Sequence, residues 1–209
     1  MVTLKVILGE IKQDLMQKNQ IREDTQEIMR KVTSLSKRAI LLIHQKNRVE
    51  TEKTLKIATE KVVNLQSLAE QYPDIIYCGM FSEALQEYAE ANIFFTLIKE
   101  DRFVTPEEIN VPSIEYTLGL ADAIGEYRRL SLDTLREGDI EKGEKYLKLM
   151  DEIFMELFAL DEAYMHVPGL RRKTDVARKI IEVTRGDITQ EVRRKNLEDY
   201  LKHFKSTQT

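Results

Sequence analysis

Residues that break helices and residues that cross-link chains are both scarce in this sequence. Its 209 residues include eight glycines, four prolines, one cysteine and no tryptophan. So few turn-forming residues favour long helices. A single cysteine, Cys78, excludes an internal disulfide and favours a reducing compartment. Because no histidine lies near Cys78 in the sequence, we interpret it as a packed thiol rather than as a nucleophile.

Long apolar runs and familiar catalytic motifs are missing as well. The first segment is interrupted by Lys5, Glu10 and Lys12, which is not typical of a signal peptide. No stretch approaches the roughly 18 apolar residues that span a bilayer, so we predict a cytoplasmic protein with no membrane partner. The sequence has no phosphate-binding glycine loop and no HExxH, CxxC or GxSxG motif, which argues against P-loop hydrolysis and zinc proteolysis.

The net charge is small, but the charges are unevenly distributed. A formal net charge of −4 argues weakly, by itself, against nucleic-acid binding. Lys and Arg nevertheless dominate from Arg171 to Lys195, whereas Asp and Glu dominate from Glu83 to Glu162. The sequence therefore predicts a basic face and an acidic pocket on one chain.

Apolar residues recur at helical spacing along nearly the whole chain. Ile28, Val32, Leu35, Ala39 and Leu42 follow one helix face, for example. No segment alternates at period two over the length of a strand, so we predict an all-α fold in a single domain over residues 1–209. We expect seven helices, over residues 2–48, 51–71, 74–101, 113–137, 139–163, 169–185 and 188–205.

The predicted helix ends rest on a few breaking and capping residues. Tyr72-Pro73 ends one helix, because proline disfavours helix at the residue before it. Thr105 and Glu108 have the spacing of a capping box and predict a short helical turn over residues 105–110. Gly186, between Arg185 and Asp187, is interpreted as the break between the last two helices.

Two acidic pairs lie on consecutive predicted helices. Glu87 and Glu90 are three residues apart, and Asp122 and Glu126 are four apart, so each pair shares a helix face. Asp122 is the only charged residue between Leu118 and Gly125. A carboxylate in apolar surroundings needs a partner, and two facing pairs would repel each other unless a cation lay between them.

A divalent metal site is one interpretation of these acids; the other is a solvated face, or ion pairs with bases such as Arg128 and Arg129. Both pairs lack histidine, so oxygen-only ligation favours Mg²⁺ or Mn²⁺ over a di-iron centre. Such a metal suits phosphodiester cleavage, because it activates water. Under the metal interpretation nothing else nearby offsets the repulsion, so neutralising Asp122 or Glu126 should leave the metal-free stability unchanged or higher.

Basic residues form two clusters that suit a phosphate backbone. Arg30, Lys37 and Arg38 lie on the first predicted helix, and Arg171 and Arg172 begin a later one. Basic residues on amphipathic helices mostly serve solubility, but beside an acidic site they would form an electrostatic track for a single strand. We predict phosphate contacts by Lys37 and Arg38, with the other three as weaker candidates.

Several segments resemble the translin/Trax family in matching order. Ser36–His44 is similar to the Trax segment SKRxIxLLH, Leu85–Ala91 to LQEYxEA, and Tyr116–Glu126 to YLLGxADLxGE. The resemblance is to the catalytic branch, that of translin-associated factor X, because Asp122 stands where translin has an apolar residue. The short spacing between Arg102 and Tyr116 resembles a compact, archaeal-type member.

The resemblance implies both a fold and an activity. It implies a translin-like α-helical bundle that assembles into closed homo-oligomers, typically octamers. It also implies an endoribonuclease that cleaves single-stranded RNA with Mg²⁺, or with Mn²⁺ as a substitute, and that binds single-stranded DNA. Glu87, Glu90, Asp122 and Glu126 match the catalytic, metal-binding acids of the family. Two alternatives stay open: a non-catalytic single-strand binder of the translin type, and a subunit that needs a translin-like partner.

Overall fold

The described residues form an all-α structure, as predicted. The computed structural model describes residues 3–160, 162 and 164–207, with side chains as far as residue 204, and this part of the chain contains no strand. Its seven α-helices are α1 (Leu4–His44), α2 (Arg48–Gln71), α3 (Pro73–Ile76), α4 (Gly79–Glu100), α5 (Ser113–Arg136), α6 (Ile140–Phe158) and α7 (Leu170–Thr207). Residue 2, the predicted start of the first helix, and residues 161 and 163 of the predicted helix 139–163 lie outside the described residues.

The chain divides into two compact units, and the boundary between them falls within α5. The first unit ends at Gly119 and the second begins at Leu120. The first therefore contains α1 to α4 with the first turns of α5, and the second contains the rest of α5 with α6 and α7. The organisation of residues 1–209 as one domain stays a prediction. None of the described helices is long and apolar enough to cross a membrane.

In the first unit, α1 packs against both α2 and α4. The predicted apolar face of α1 supplies this core, since Val32 and Ala39 are fully buried. On α4, Ile93 and Phe94 are fully buried too. Burying such side chains contributes about 1.5–3 kcal/mol for each large residue. The chain then turns after α4 at Thr105 and Glu108, whose side chains each accept a hydrogen bond from the other's backbone N–H.

The capping box between Thr105 and Glu108 is therefore confirmed, but residues 106–110 form a turn rather than a helix. Two further predictions are wrong. Cys78 is exposed rather than packed. It is the residue just before α4, where the backbone is extended rather than helical. The break expected at Gly186 does not occur, since α7 continues through it.

Burial on both sides of Gly186 explains why α7 continues. Ile181 and Ile188 are seven residues apart and both are buried, so they share one face of a continuous helix. Arg185 also reaches Asp151 of α6 at 2.6 Å. A glycine inside a helix costs only about 1 kcal/mol, which is less than the burial of one isoleucine contributes.

In the second unit, α6 packs against α7 and its start is fixed by the residues before it. Gly138 has φ +84°, a left-handed conformation that favours glycine. The Asp139 side chain accepts a hydrogen bond from the Lys142 backbone N–H at 3.0 Å and so caps α6. Ser131 of α5 donates to the Gly143 carbonyl at 3.1 Å, which links α5 to α6. The end predicted at residue 137 and the start predicted at residue 139 are therefore confirmed to within one residue.

A close approach fixes the first turns of α5 against α4. A Cβ atom at Gly119 would lie 2.8 Å from the Gln86 carbonyl oxygen, 2.8 Å from the Glu90 backbone nitrogen and 2.9 Å from Ala89 Cβ. Backbone atoms of a packed helix cannot move aside without shifting the helix. Glycine is therefore required at residue 119, beside the part of α4 that carries Glu90.

We expect Gly119→Ala to lower the free energy of unfolding by about 1–3 kcal/mol, because overpacking forces the two helices apart. Gly125→Ala, on the same helix, is the matched control: a Cβ there meets nothing within 4 Å. That control should gain about 0.5–1 kcal/mol from helix propensity. Urea denaturation measures both variants, and equal stabilities would contradict the close approach.

Candidate functional site

The first acidic pair lies on α4 and is largely withdrawn from solvent. Glu90 is buried, and only 18% of the Glu87 side chain is exposed. Because α1 packs on α4, Lys37 comes within reach, and its Nζ lies 3.1 Å from Glu87 Oε1. The first acidic pair is therefore next to a positively charged side chain of the protein itself, that of Lys37.

The charge of this acidic face acts on Lys37. The hydrogen bond to Glu87 raises the pKa of the Lys37 ammonium above its ordinary value, and the charges of Glu87, Glu83 and Glu90 raise it further. The lysine itself is mostly exposed, so solvent screens the pair and its contribution to stability is small. Lys37 therefore stays protonated wherever the acids are ionised.

The second acidic pair lies on α5, in the second unit. Lys173, in the first turn of α7, donates to both oxygens of Asp122, at 2.5 and 2.6 Å. The side chains of Lys173 and Asp122 are 25% and 29% exposed. Glu126, one turn further along α5, is half-buried. A carboxylate and an ammonium in such partial burial attract more strongly than an exposed pair.

These contacts correct one premise of the sequence analysis. The acids were expected to have no nearby group that offsets their repulsion, yet Lys37 contacts Glu87 and Lys173 contacts Asp122. Lys173 was not singled out from the sequence, where it is one of several bases near Arg171. Only its placement one turn into α7, opposite α5, distinguishes it from its neighbours.

The donor chemistry of the four acids fits a hard divalent cation, because carboxylate oxygens are the ligands that Mg²⁺ and Mn²⁺ prefer. The ammonium groups of Lys37 and Lys173 are the cations that contact Glu87 and Asp122 in the structure. Within residues 3–160, 162 and 164–207, no group of three or more His, Cys, Asp or Glu side chains is arranged to hold a metal. The four-acid metal site stays a prediction.

The basic residues predicted to contact phosphates are all accessible. Arg30, Lys37 and Arg38 on α1 are exposed, and so are Arg171 and Arg172 on α7. Exposure is what a phosphate-binding side chain requires, although exposed bases also serve solubility. Their role in binding RNA stays a prediction.

The sequence of this all-α chain matches the model of a known family over most of its length. The model of the Translin family matches residues 20–183. The chain belongs to the translin family. This confirms the family part of the resemblance found in the sequence, over about four fifths of its length.

Known relatives of this translin-family chain cover nearly all of it. The uncharacterised protein MJ0175 of Methanocaldococcus jannaschii is 32% identical over 191 residues, which are 90% of this chain and 84% of that protein. The structure of AfC3PO in complex with duplex RNA is 32% identical and superposes with a TM-score of 0.80, over 90% of this chain and 98% of that one.

A further structure supports the fold alone. The crystal structure of apo-NeC3PO is 24% identical, with a TM-score of 0.79 over 88% of this chain and 96% of that one. At this identity the similarity concerns the arrangement of helices. The translin-like all-α fold is confirmed by these superpositions.

Because Asp122 pairs with Lys173, we predict that Asp122→Asn lowers the stability, which is opposite to the prediction from the sequence. In EDTA, Asp122→Asn should lower the free energy of unfolding by about 1–2 kcal/mol, because Lys173 would lose its carboxylate in a half-buried position. Asp14→Asn is the control: it breaks an exposed pair with Lys18 and should cost about 0.5 kcal/mol or less. Urea unfolding measures both.

A double variant separates the ion pair from other effects of the substitution. Asp122→Asn combined with Lys173→Met should recover most of the lost stability, because no charge is then left without a partner. If Asp122→Asn unfolds like the wild type, the pair contributes nothing and the earlier expectation is restored.

Proposed function

We propose that this translin-family protein is an Mg²⁺-dependent endoribonuclease of the catalytic, Trax-like branch, which cleaves single-stranded RNA. The observation that carries the proposal is the withdrawal of the acids from water. Glu90 is buried, and Glu87, Asp122 and Glu126 are half-buried or more. Acids that served only solubility would be exposed.

Each of the four acids has a role in this proposal. Glu90, Asp122 and Glu126 bind the metal, and Glu87 completes the cluster, either as a ligand or as a base that positions water. When bound, the divalent cation would activate water and neutralise charge on the phosphodiester, and Mn²⁺ would substitute for Mg²⁺. Lys37 contacts Glu87 and Lys173 contacts Asp122, so these ammonium groups compensate part of the carboxylate charge.

RNA is the proposed substrate and the protein itself the proposed partner in assembly. AfC3PO, which is similar to this chain, forms a complex with duplex RNA. Binding here would use Lys37 and Arg38, with Arg30, Arg171 and Arg172, and would extend to single-stranded DNA. A closed homo-oligomer, an octamer, is proposed for the assembly.

An exposed apolar face on α1 supports the assembly. Leu4, Leu8, Ile11 and Leu15 are exposed and lie on one side of its first turns. Contact with another subunit would remove this face from water.

A specific observation favours the second candidate, a non-catalytic binder of single-stranded RNA or DNA. Lys37 and Lys173 already neutralise Glu87 and Asp122 without a metal. In that case the acids would serve the ion pairs and the basic residues would serve the strand. A requirement for a second, translin-like subunit is a variant of this alternative.

The two functions give different results with labelled single-stranded RNA. Purified protein should cleave it with Mg²⁺ or Mn²⁺ but not in EDTA, and the products should carry 5′-phosphate and 3′-hydroxyl ends, because water rather than the 2′-hydroxyl attacks. Asp122→Asn and Glu126→Gln should reduce cleavage to background while RNA binding persists in fluorescence anisotropy.

Asp14→Asn, an exposed acid far from both pairs in the sequence, is the control and should cleave like the wild type. Undiminished cleavage in EDTA, or full activity of Asp122→Asn, would defeat the metal mechanism. Binding without any cleavage would favour the non-catalytic candidate.

A salt titration tests the predicted phosphate contacts. In EDTA, Lys37→Ala with Arg38→Ala should weaken binding of all RNA sequences alike. It should also reduce the slope of log K against log salt by about 0.7 for each lost contact. Arg38→Ala alone leaves the Lys37–Glu87 pair intact and should lose one contact.

Lys148→Ala, an exposed lysine on α6, is the matched control and should leave the slope unchanged. An unchanged affinity and slope in the double variant would show that this face of α1 does not contact RNA.

A further inference from the structure

A pocket of about 420 Å³ lies beside Asp122 in the second unit. It is lined by α5 and the first turns of α7 and is partly open to solvent. Its volume falls within the range of about 300–1,000 Å³ that is typical of small-ligand sites. Its wall is polar near the start of α7, where Arg172 and Lys173 lie, and apolar one to two turns later, at Val176, Ala177 and Ile180.

The polar part of the pocket has a net positive charge. Arg172 and Lys173 contribute two positive charges and Asp122 one negative charge. An ammonium has three N–H donors, and Lys173 uses two of them on the Asp122 oxygens. The exposed Arg172 guanidinium beside it carries five N–H donors, which suit an anion such as a phosphate.

The apolar part is open to a flat, uncharged group. Val176 is 51% exposed although it is an apolar residue on the pocket wall. Gly125 lines the opposite side, and a Cβ atom there would meet nothing within 4 Å. A cation-lined end joined to an accessible apolar wall is the combination that a nucleotide needs, since its phosphate and its base have these two characters.

We infer that this pocket receives one nucleotide of a bound single strand, with the phosphate at Arg172 and Lys173 and the base against Val176. The inference rests on the proposed function, because it names the subsite through which that substrate is held beside Asp122. A base enters such a pocket only after it leaves the stack, and unstacking is least costly in a single strand. A strand that enters the pocket is therefore unpaired at that nucleotide.

Two valines on α7 give a matched test. Val176 and Val183 are 51% and 54% exposed, seven residues apart on the same helix, but only Val176 lines the pocket. In EDTA, Val176→Asp should weaken binding of a labelled single-stranded RNA about tenfold, because the new carboxylate removes the apolar contact with the base and repels the phosphate. Val183→Asp should bind like the wild type, and neither variant should change binding of a duplex of the same sequence.

Filling the pocket gives a second test that adds no charge. Gly125→Leu should weaken single-strand binding to a similar extent. Gly186→Leu is the control and should not, because Gly186 has equally open space around an added Cβ but does not line the pocket. Circular dichroism and thermal unfolding confirm that each variant is folded before binding is measured.

Four outcomes would overturn the inference. The first is wild-type affinity in both Val176→Asp and Gly125→Leu. The second is equal weakening by Val176→Asp and Val183→Asp, and the third is equal weakening for single strand and duplex. The fourth is tighter binding of uridine 5′-monophosphate than of the RNA, which would assign the pocket to a free nucleotide.

The role of the pocket and the proposed nuclease activity can be disproved independently of each other. If the wild type cleaves RNA while Val176→Asp and Gly125→Leu bind normally, the pocket has no role and the nuclease stands. If the wild type binds RNA through the pocket but never cleaves it, the nuclease fails and the pocket stands. A wild type that binds no RNA removes both.

Discussion

A carboxylate withdrawn from water needs a cation, and this requirement determines the chemistry of both acidic pairs. Glu87 meets it through Lys37, and Asp122 meets it through Lys173. The Lys37–Glu87 ion pair joins α1 to α4 in the first unit, and the Asp122–Lys173 ion pair joins α5 to α7 in the second. Packing of apolar helix faces brings the partners together, so the local charge balance depends on the core.

The same lysines determine how the acids respond to a divalent cation. An ammonium that contacts a carboxylate competes with a metal ion for the carboxylate oxygens. Asp122 uses both of its oxygens on Lys173, and Oε1 of Glu87 is in contact with Lys37. The charges of Glu87 and Asp122 are therefore compensated without a metal ion. Binding of a metal ion by Asp122 would require Lys173 to move away or to share the carboxylate.

Much of the fold could be predicted from the sequence, because helix periodicity and capping are local. The apolar face of α1, the break at Tyr72-Pro73 and the capping box at Thr105 each depend on residues within a few positions of one another. Gly186 was misinterpreted because its context is tertiary: Ile181 and Ile188, on either side of it, are both buried. Local propensity suggested a break, and burial outweighed it.

The site was predictable only in part for the same reason. Residue spacing identified Glu87 with Glu90 and Asp122 with Glu126, since partners within one helix are separated by three or four positions. Spacing could not identify Lys173 as the partner of Asp122, because 51 residues separate them and several other bases lie nearby. The exposure of Cys78 was missed because a lone thiol carries no periodic signal.

The continuity of α7 has a mechanical consequence. Its 38 residues make a rod about 57 Å long, with Arg172 and Lys173 in its first turn and an exposed apolar face that includes Leu197 and Phe204 near its last. A tilt of about 5° at the first turn would move Phe204 by roughly 4 Å, because the rise per residue is fixed. With a break at Gly186 the two ends of α7 would move independently. Because the helix is continuous, a movement caused by a ligand at its first turn also displaces any surface that contacts its last turns.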